Sequence, residues 1–280
     1  MPNYLLKILQ NYFDEILVLE GNVSITESLL KAKANEIITE NRRHKNIIDA
    51  ITSYSNITSI KVPPNSGNPN FIYSITTDDL EERIVDIHSQ QCCYTVSQAY
   101  EIFENFLIEI ISEFLFHNQP FLKVLKVSEG IVLISKDTIK SLITNNKIKK
   151  SNNKGLLWMV RKISPDFKRN ESHNLLNENI STWFDLFSMI RHTLVHNRQV
   201  ISKGFLKYLK EHKADTLFDK HFKRKQIRKN ICIFLDKSQV TEITHWLNSY
   251  AHLIFVCLSL TVNLSVQVPQ YLPHSETLYR

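Results

Sequence analysis

Glycine, proline and cysteine are scarce in this chain, with 5, 8 and 4 among 280 residues. So few glycines and prolines leave little turn chemistry for a many-stranded β protein, and the expected class is mainly α, built from long helices with few breaks. The cysteines, Cys92, Cys93, Cys232 and Cys257, form no CxxC pair, and sequence neighbours such as Cys92 and Cys93 rarely bridge each other. They are expected as reduced thiols of a cytoplasmic protein. Long apolar runs are also lacking. Leu253 to Leu260 is the most apolar stretch, too short to span a bilayer and bracketed by His252 and Asn263, so no membrane partner is expected. The amino-terminal MPNYLLKILQNYFDEILVLEG sets Lys7, Asp14 and Glu15 inside its apolar pattern and offers no small-residue cleavage site, which argues against a secretory signal. There is no internal repeat and no long low-complexity tract.

What is present is apolar residue and unevenly placed charge. With 43% hydrophobic residues, the chain can bury one large domain or a domain with a smaller attachment, and the second is the expectation. Residues 1–90 carry 8 Lys and Arg against 12 Asp and Glu, a balance of −4, so residues 91–280 must carry +10 to reach the net +6. The C-terminal part is therefore the expected polyanion binder.

Apolar residues at Leu5, Ile8, Leu9, Tyr12, Ile16 and Leu19 follow helical spacing, and Gly21 is expected to end that helix. The capping-type Ser24-Ile25-Thr26-Glu27 then opens a second, running toward Ile51. Together they predict a helical hairpin over residues 1–62. Its run Glu40 to Lys45 reads as a solvated helix face, with an RNA-contacting patch as the alternative. Val62 to Pro69 concentrates Pro, Gly and Asn, which places a linker over 63–76, with a short strand at Phe71 to Ile75. The main domain is expected over 77–280. It starts with acids at Asp78, Asp79 and Glu81 in the first turn of a helix and holds a buried core helix over residues 95–116, with His117 at its end.

Ten Lys and Arg lie between Lys136 and Arg169, against Asp137 and Asp166. The piece from Asn145 to Lys154 is expected as an exposed loop. Lys154, Trp158 and Arg161, with Lys162 beside them, suit backbone contacts plus base stacking on single-stranded RNA; a core Trp158 among merely solubilising lysines explains the same residues equally well. A second basic run, Lys220 to Lys229, includes Lys223, Arg224 and Lys225 as further RNA contacts, whose phosphate neutralisation would make binding salt-dependent. Ile231 to Leu235 reads as a short β piece. Asp236-Lys237-Ser238-Gln239 opens the last long helix, with Val240, Ile243, Trp246, Leu247, Tyr250, Leu253 and Ile254 as its apolar stripe.

The richest stretch for chemistry is Arg191-His192-Thr193-Leu194-Val195-His196-Asn197-Arg198. Thr182 and Asp185 predict the cap of its helix, which then runs to His196 or Asn197. At about 100° per residue, Trp183, Phe187, Ile190 and Leu194 form one stripe, facing the core. Asp185, His192 and His196 gather on the other side with Ser188, and Arg191 stands between the faces. Arginine presents a donor fork that matches phosphate, and histidine exchanges protons near neutrality. Two histidines and a carboxylate on an apolar helix are not needed for packing. Asp185 reads as a cap, with the orienting of a histidine as the alternative.

The segment Phe187 to Asn197 resembles the signature of the HEPN superfamily of α-helical nucleases, in which Arg is followed by a polar residue, an apolar stretch and His. The helices expected at 95–116 and 238–262 resemble that fold too, an antiparallel helical bundle. The resemblance covers roughly residues 78–265 and leaves the N-terminal hairpin as an extension. It implies a metal-independent, cofactor-free endoribonuclease acting as a homodimer, with two Arg and two His in one composite site. The 2′-hydroxyl would attack the adjacent phosphate and leave a 2′,3′-cyclic phosphate. His196 would be general base or acid, Arg191 would hold the phosphorane charge, and His192 would position phosphate or water. Related families are toxins, phage-defence proteins or RNA-processing enzymes, with an antitoxin or regulatory protein as a further partner, and some members only bind. In toxins restrained by modification of a Tyr two residues after the motif His, that position differs from the Arg198 found here.

Two other readings stand beside this one. His192 and His196 have the four-residue step of a zinc-binding pair, but a zincin needs Glu at the position of Thr193, and no third ligand is evident. The rival from another class is a non-catalytic HEPN-like module that binds RNA or protein.

Overall fold

The computed structural model describes residues 3–43, 50–55, 72–76, 80–125, 135–149, 154–174, 177–227 and 229–268. Over these the protein is mainly α-helical, as its composition predicts, with two two-stranded antiparallel sheets. The first helix, α1 (Leu6–Arg43), runs unbroken for 38 residues, where the sequence predicts a hairpin broken at Gly21. The cap-like residues explain the difference. The Ser24 hydroxyl donates back to the Glu20 carbonyl at 3.1 Å, and Glu27 accepts from Lys31 at 2.7 Å. Both are ordinary contacts of a continuing helix. Leu19 and Val23 on either side are buried, which offsets the roughly 1 kcal/mol that an interior glycine costs.

Strand β1 (Ala50–Ser55) lies where the second helix was expected to continue toward Ile51, and it pairs with β2 (Ile72–Thr76). Ile51, Thr52 and Tyr54 are β-branched or aromatic, residues that favour a strand over a helix. Strand β2 occupies the stretch where a short strand was expected, while the Pro- and Gly-rich 63–71 lies outside the described residues.

Helix α2 (Leu80–His117) is the central element, packing against α1 and against the helices over residues 136–149, 154–163, 180–196 and 237–261. Phe103, Phe106, Leu107, Ile110, Ile111, Phe114 and Leu115 are all buried, as expected of a core helix. His117 ends it and pairs with Glu113. Leu5, Leu9, Tyr12, Ile16 and Val23 join the same continuous core. The N-terminal helix, expected in a separate extension, is thus part of the main hydrophobic body.

A short 3₁₀ turn (Gln119–Leu125) precedes α3 (Lys136–Lys149), α4 (Lys154–Ile163) and α5 (Pro165–Ser172). The loop expected from Asn145 is helical through Lys149. Then come α6 (Ile180–His196), α7 (Lys203–Glu211) and α8 (Asp215–His221), the last two not foreseen. The basic run forms β3 (Lys223–Ile227), paired with β4 (Asn230–Phe234), the expected β piece. Helix α9 (Lys237–Thr261) opens at Asp236, where Asp236 and Gln239 form a capping box, and it buries Val240, Ile243, Trp246, Leu247, Tyr250 and Ile254. Among the described residues no helix is long and apolar enough to cross a membrane.

Two predictions test these elements. A Cβ at Gly21 would meet nothing within 4 Å, so Gly21→Ala should raise stability by about 0.5–1 kcal/mol in urea unfolding. A helix break at Gly21 would give the opposite sign. At Asp236, burial raises the carboxyl, but hydrogen bonds from Lys223, Ser238 and the Gln239 amide outweigh it and hold it at about 2. A folded pKa below the unfolded one gives stability that is present above about pH 4 and lost as pH falls toward 2. Asp236→Asn keeps the cap acceptor and should remove about 1–2 kcal/mol of that acid dependence, after allowance for solvent screening. Identical unfolding midpoints for both proteins across pH 5 to 2.5 would contradict it.

Candidate active site

Helix α6 begins at Asn179, whose side chain accepts from the Thr182 amide at 3.0 Å. The cap is thus Asn179 rather than Thr182 with Asp185, because the helix starts three residues earlier than its Thr and Asp suggest. Trp183, Phe187, Ile190 and Leu194 are buried, as the helical wheel predicts. Thr193 is buried too and donates to the Met189 carbonyl at 3.0 Å. The position where a zincin would need its Glu therefore points into the core. Among the described residues no group of three or more His, Cys, Asp or Glu is placed to hold a metal ion.

His192 and His196 both stand exposed one turn apart, their ring centroids 4.7 Å from each other with the planes tilted by 44°. Just past them, Arg198 and Gln199 take left-handed conformations, φ 49° and 69°. That double turn brings the chain back beside the β3–β4 hairpin, where Val200 bridges Cys232 and the Ile201 amide donates to the Ile231 carbonyl at 2.8 Å. Non-glycine residues adopt this conformation only when their surroundings compensate the cost. Here the sheet contacts do so, and they hold the end of α6 that carries His196. Arg198 itself is exposed on this turn.

Arg191 is held by two consecutive residues of α2. Its Nη2 donates to Glu101 Oε1 at 3.0 Å, and its guanidinium lies 5.8 Å from the centre of the Tyr100 ring. Tyr100 also shares a hydrogen bond with Ser188 at 2.9 Å. The Arg191 Nε is buried with no partner among the described residues, so one donor of the fork remains unspent inside the pocket that α2 makes for it. Glu101 is a site residue that sequence reasoning misses: it lies 90 positions away, and its only signal is an acid at the half-exposed edge of an apolar helix.

Asp185 does not orient either histidine of its own helix. It precedes His192 by two turns, about 10 Å along the axis, and its negative charge acts instead on Arg161 and on the Tyr208 phenol, which burial and Asp185 together push up.

The expected RNA contacts divide. Arg161 gives both Nε and Nη2 to Glu171 at 2.7 Å, and Nη2 also reaches Ser181 at 2.8 Å. The Glu171 side chain is only 3% exposed, and the fully buried Tyr250 hydroxyl donates to it as well. Arg161 is therefore the counter-ion of a buried carboxylate. Trp158 is half-buried against the core, with Lys162 5.9 Å from its ring centre. Lys154 opens α4, but its side chain lies outside the described residues.

The β3 cations of the second basic run are ion-paired. Lys223 pairs with Asp236 at 2.6 Å, Arg224 with Asp219 at 2.8 Å, and Lys225 with Asp86 at 2.7 Å. Each cation of β3 meets an acid brought in by α2, α8 or the cap of α9, so these three carry little unbalanced charge.

Removing Arg161 should strand the Glu171 charge in the interior. Arg161→Ala is expected to cost about 3–5 kcal/mol in urea unfolding, and Arg161→Met with Glu171→Met should recover part of that. A surface RNA contact would show almost no change in stability. Searches of protein-family models, curated proteins and solved structures find no match to this chain.

Proposed function

We propose that this protein is a metal-independent endoribonuclease of the HEPN type, of the toxin, phage-defence or RNA-processing kind, acting in the cytoplasm. The observation that carries this reading is the exposed His192–His196 pair beside Arg191 at the end of a helix otherwise committed to the core. Chemistry of that kind needs a base, an acid and a cation around one phosphate. One histidine takes the proton from a ribose 2′-hydroxyl as the 2′-oxygen bonds to phosphorus. The bond from phosphorus to the 5′-oxygen breaks, and a second histidine returns a proton to that leaving oxygen. The products are a 2′,3′-cyclic phosphate and a 5′-hydroxyl. Arg191 balances the charge that builds on the phosphorane oxygens. Because His192 and His196 share one face and cannot flank a phosphate from both sides, the second histidine comes from a second copy of the chain, with Arg191 contributed by each. His192 positions phosphate or water, and an antitoxin or regulatory protein is the partner that such a nuclease requires when its cutting is harmful.

A non-catalytic binding module is favoured by one observation only, the ion pair that neutralises Arg191 with Glu101. Activity separates the two. The purified chain should cut single-stranded RNA in EDTA, leaving 2′,3′-cyclic phosphate ends. His196→Ala should lower the rate by about 10² to 10⁴ and Arg191→Ala by about 10² to 10³, with the circular dichroism of His196→Ala unchanged because that side chain is exposed. Cutting that EDTA stops would defeat the metal-free mechanism, and RNA binding without cutting, indifferent to His196→Ala, would establish the module.

A further inference from the structure

The cations of α8, β3 and α9 are all paired with acids of the chain, Lys220 with Glu178 at 2.6 Å and Lys237 with Glu27 at 3.6 Å among them. The segment that leaves His196 is different. Residues 197–214 carry five Lys and Arg against a single acid, Glu211, which pairs with Lys207 at 3.5 Å. Arg198, Lys203, Lys210 and Lys213 are exposed, and none of the four has a carboxylate partner among the described residues. Their charge is not balanced within the protein, and a local excess of that kind attracts a polyanion.

Helix α7 fixes where that charge points. The Ser202 side chain caps it by accepting from the Phe205 amide at 3.1 Å, and Phe205 and Leu209 are buried in the core. Setting Phe205 at zero and advancing by about 100° per residue puts Leu209 at about 40°, whereas Lys203, Lys207 and Lys210 fall between about 140° and 200°. The three lysines therefore stand on the outward face. Lys203 and Lys210 are about 10 Å apart along the axis, and Lys213 follows in a left-handed conformation, φ 52°, which continues the series past the end of the helix. Its near end adjoins the histidines. The turn at Arg198 and Gln199, held against the β3–β4 hairpin, carries the chain from His196 to Ser202. Burial and then the Asp185 charge raise the Tyr208 phenol, which places α7 on the side of α6 that carries Asp185, His192 and His196. We propose that Arg198, Lys203, Lys210 and Lys213 form a track for the phosphates of single-stranded RNA, leading along α7 to the bond cut at His196. The proposal rests on the ribonuclease reading for its substrate, but binding along the track is measurable apart from cutting.

The probe is 2′-O-methyl oligouridylate of about 12 nucleotides, which lacks the attacking hydroxyl, titrated onto the full chain at several salt concentrations. Lys203→Gln, Lys210→Gln and Lys213→Gln together are compared with a control of equal charge, Lys7→Gln, Lys123→Gln and Lys168→Gln, at exposed lysines that also lack carboxylate partners among the described residues. The α7 triple variant should bind at least about tenfold more weakly in about 50 mM salt and lose about 2 from the salt slope, at about 0.7 per phosphate contact on a single strand. The control should bind as the parent does. Lys210→Gln alone should lower the slope by about 0.7, which keeps the test decisive if circular dichroism shows the triple variant to be poorly folded. Equal losses in the two triple variants, or none in either, overturn the track, as does a parent that leaves the probe unbound. Vesicles containing phosphatidylserine are titrated alongside. Binding to them that needs the α7 lysines, with RNA binding unchanged by their loss, assigns the face to a lipid surface and overturns the track too. Cutting of ordinary RNA in EDTA is scored separately. A parent that cuts, with α7 variants of unaltered binding, overturns this proposal and leaves the nuclease intact. A parent that binds without cutting, with binding lost in the α7 variants alone, upholds the track and overturns the nuclease.

Discussion

A carboxylate only 3% exposed cannot be left without a counter-ion, and Glu171 is the place where this fold meets that constraint. Arg161 of α4 supplies the charge, Tyr250 of α9 a hydroxyl, and Ser181 of α6 shares the same guanidinium. Four helices are thereby joined at one polar knot within an aromatic core of Phe103, Phe167, Phe184 and Tyr250. An apolar core tolerates small slips of one helix on another, since its contacts have no direction. A two-pronged arginine on a buried carboxylate does not, because each hydrogen bond fixes a distance and an angle. The start of α6 is therefore set by the requirement to neutralise Glu171.

The far end of α6 is fixed by other means. The left-handed pair Arg198 and Gln199 turns the chain onto the β3–β4 hairpin, and Tyr100 and Glu101 of α2 grip Ser188 and Arg191 on the way. With both ends held and the middle buried through Phe187 and Ile190, the last turn of the helix still exposes His192 and His196 on its outer side. A rigid helix that presents exposed imidazoles is a suitable base for chemistry, since the groups are positioned without being buried.

Helical periodicity made part of this legible in advance. The inward stripe of α6, the buried face of α2, the Asp236 start of α9 and the short strand at Ile231 all follow from local patterns whose period is a property of the backbone. What the sequence concealed involves partners far apart in the chain. The charge run of β3 looks like a polyanion-binding surface when counted alone, but Asp86, Asp219 and Asp236 arrive from three other segments and pair with its three cations. Arg161 is separated from its carboxylate by ten residues and from Tyr250 by many more, so its structural duty carries no local signature. Gly21 misleads for a different reason. Whether a glycine ends a helix depends on what its neighbours bury, and Leu19 and Val23 bury enough to carry α1 through it.

The Arg191–Glu101 pair raises the question of how a neutralised arginine could serve a phosphate. Glu101 is 54% exposed, so its carboxylate keeps most of its hydration, and exposed pairs of this kind contribute only about 0.2–1 kcal/mol. A phosphate offers the same fork two acceptor oxygens and a charge that grows as the phosphorane forms, which is worth more than the carboxylate it displaces. The contrast with Arg161 is instructive. There the partner is buried and exchange would strand a charge, whereas at Arg191 the displaced partner simply returns to water. Two arginines on one protein, each beside a glutamate, thus differ in the burial of the acid, 3% exposed at Glu171 and 54% at Glu101.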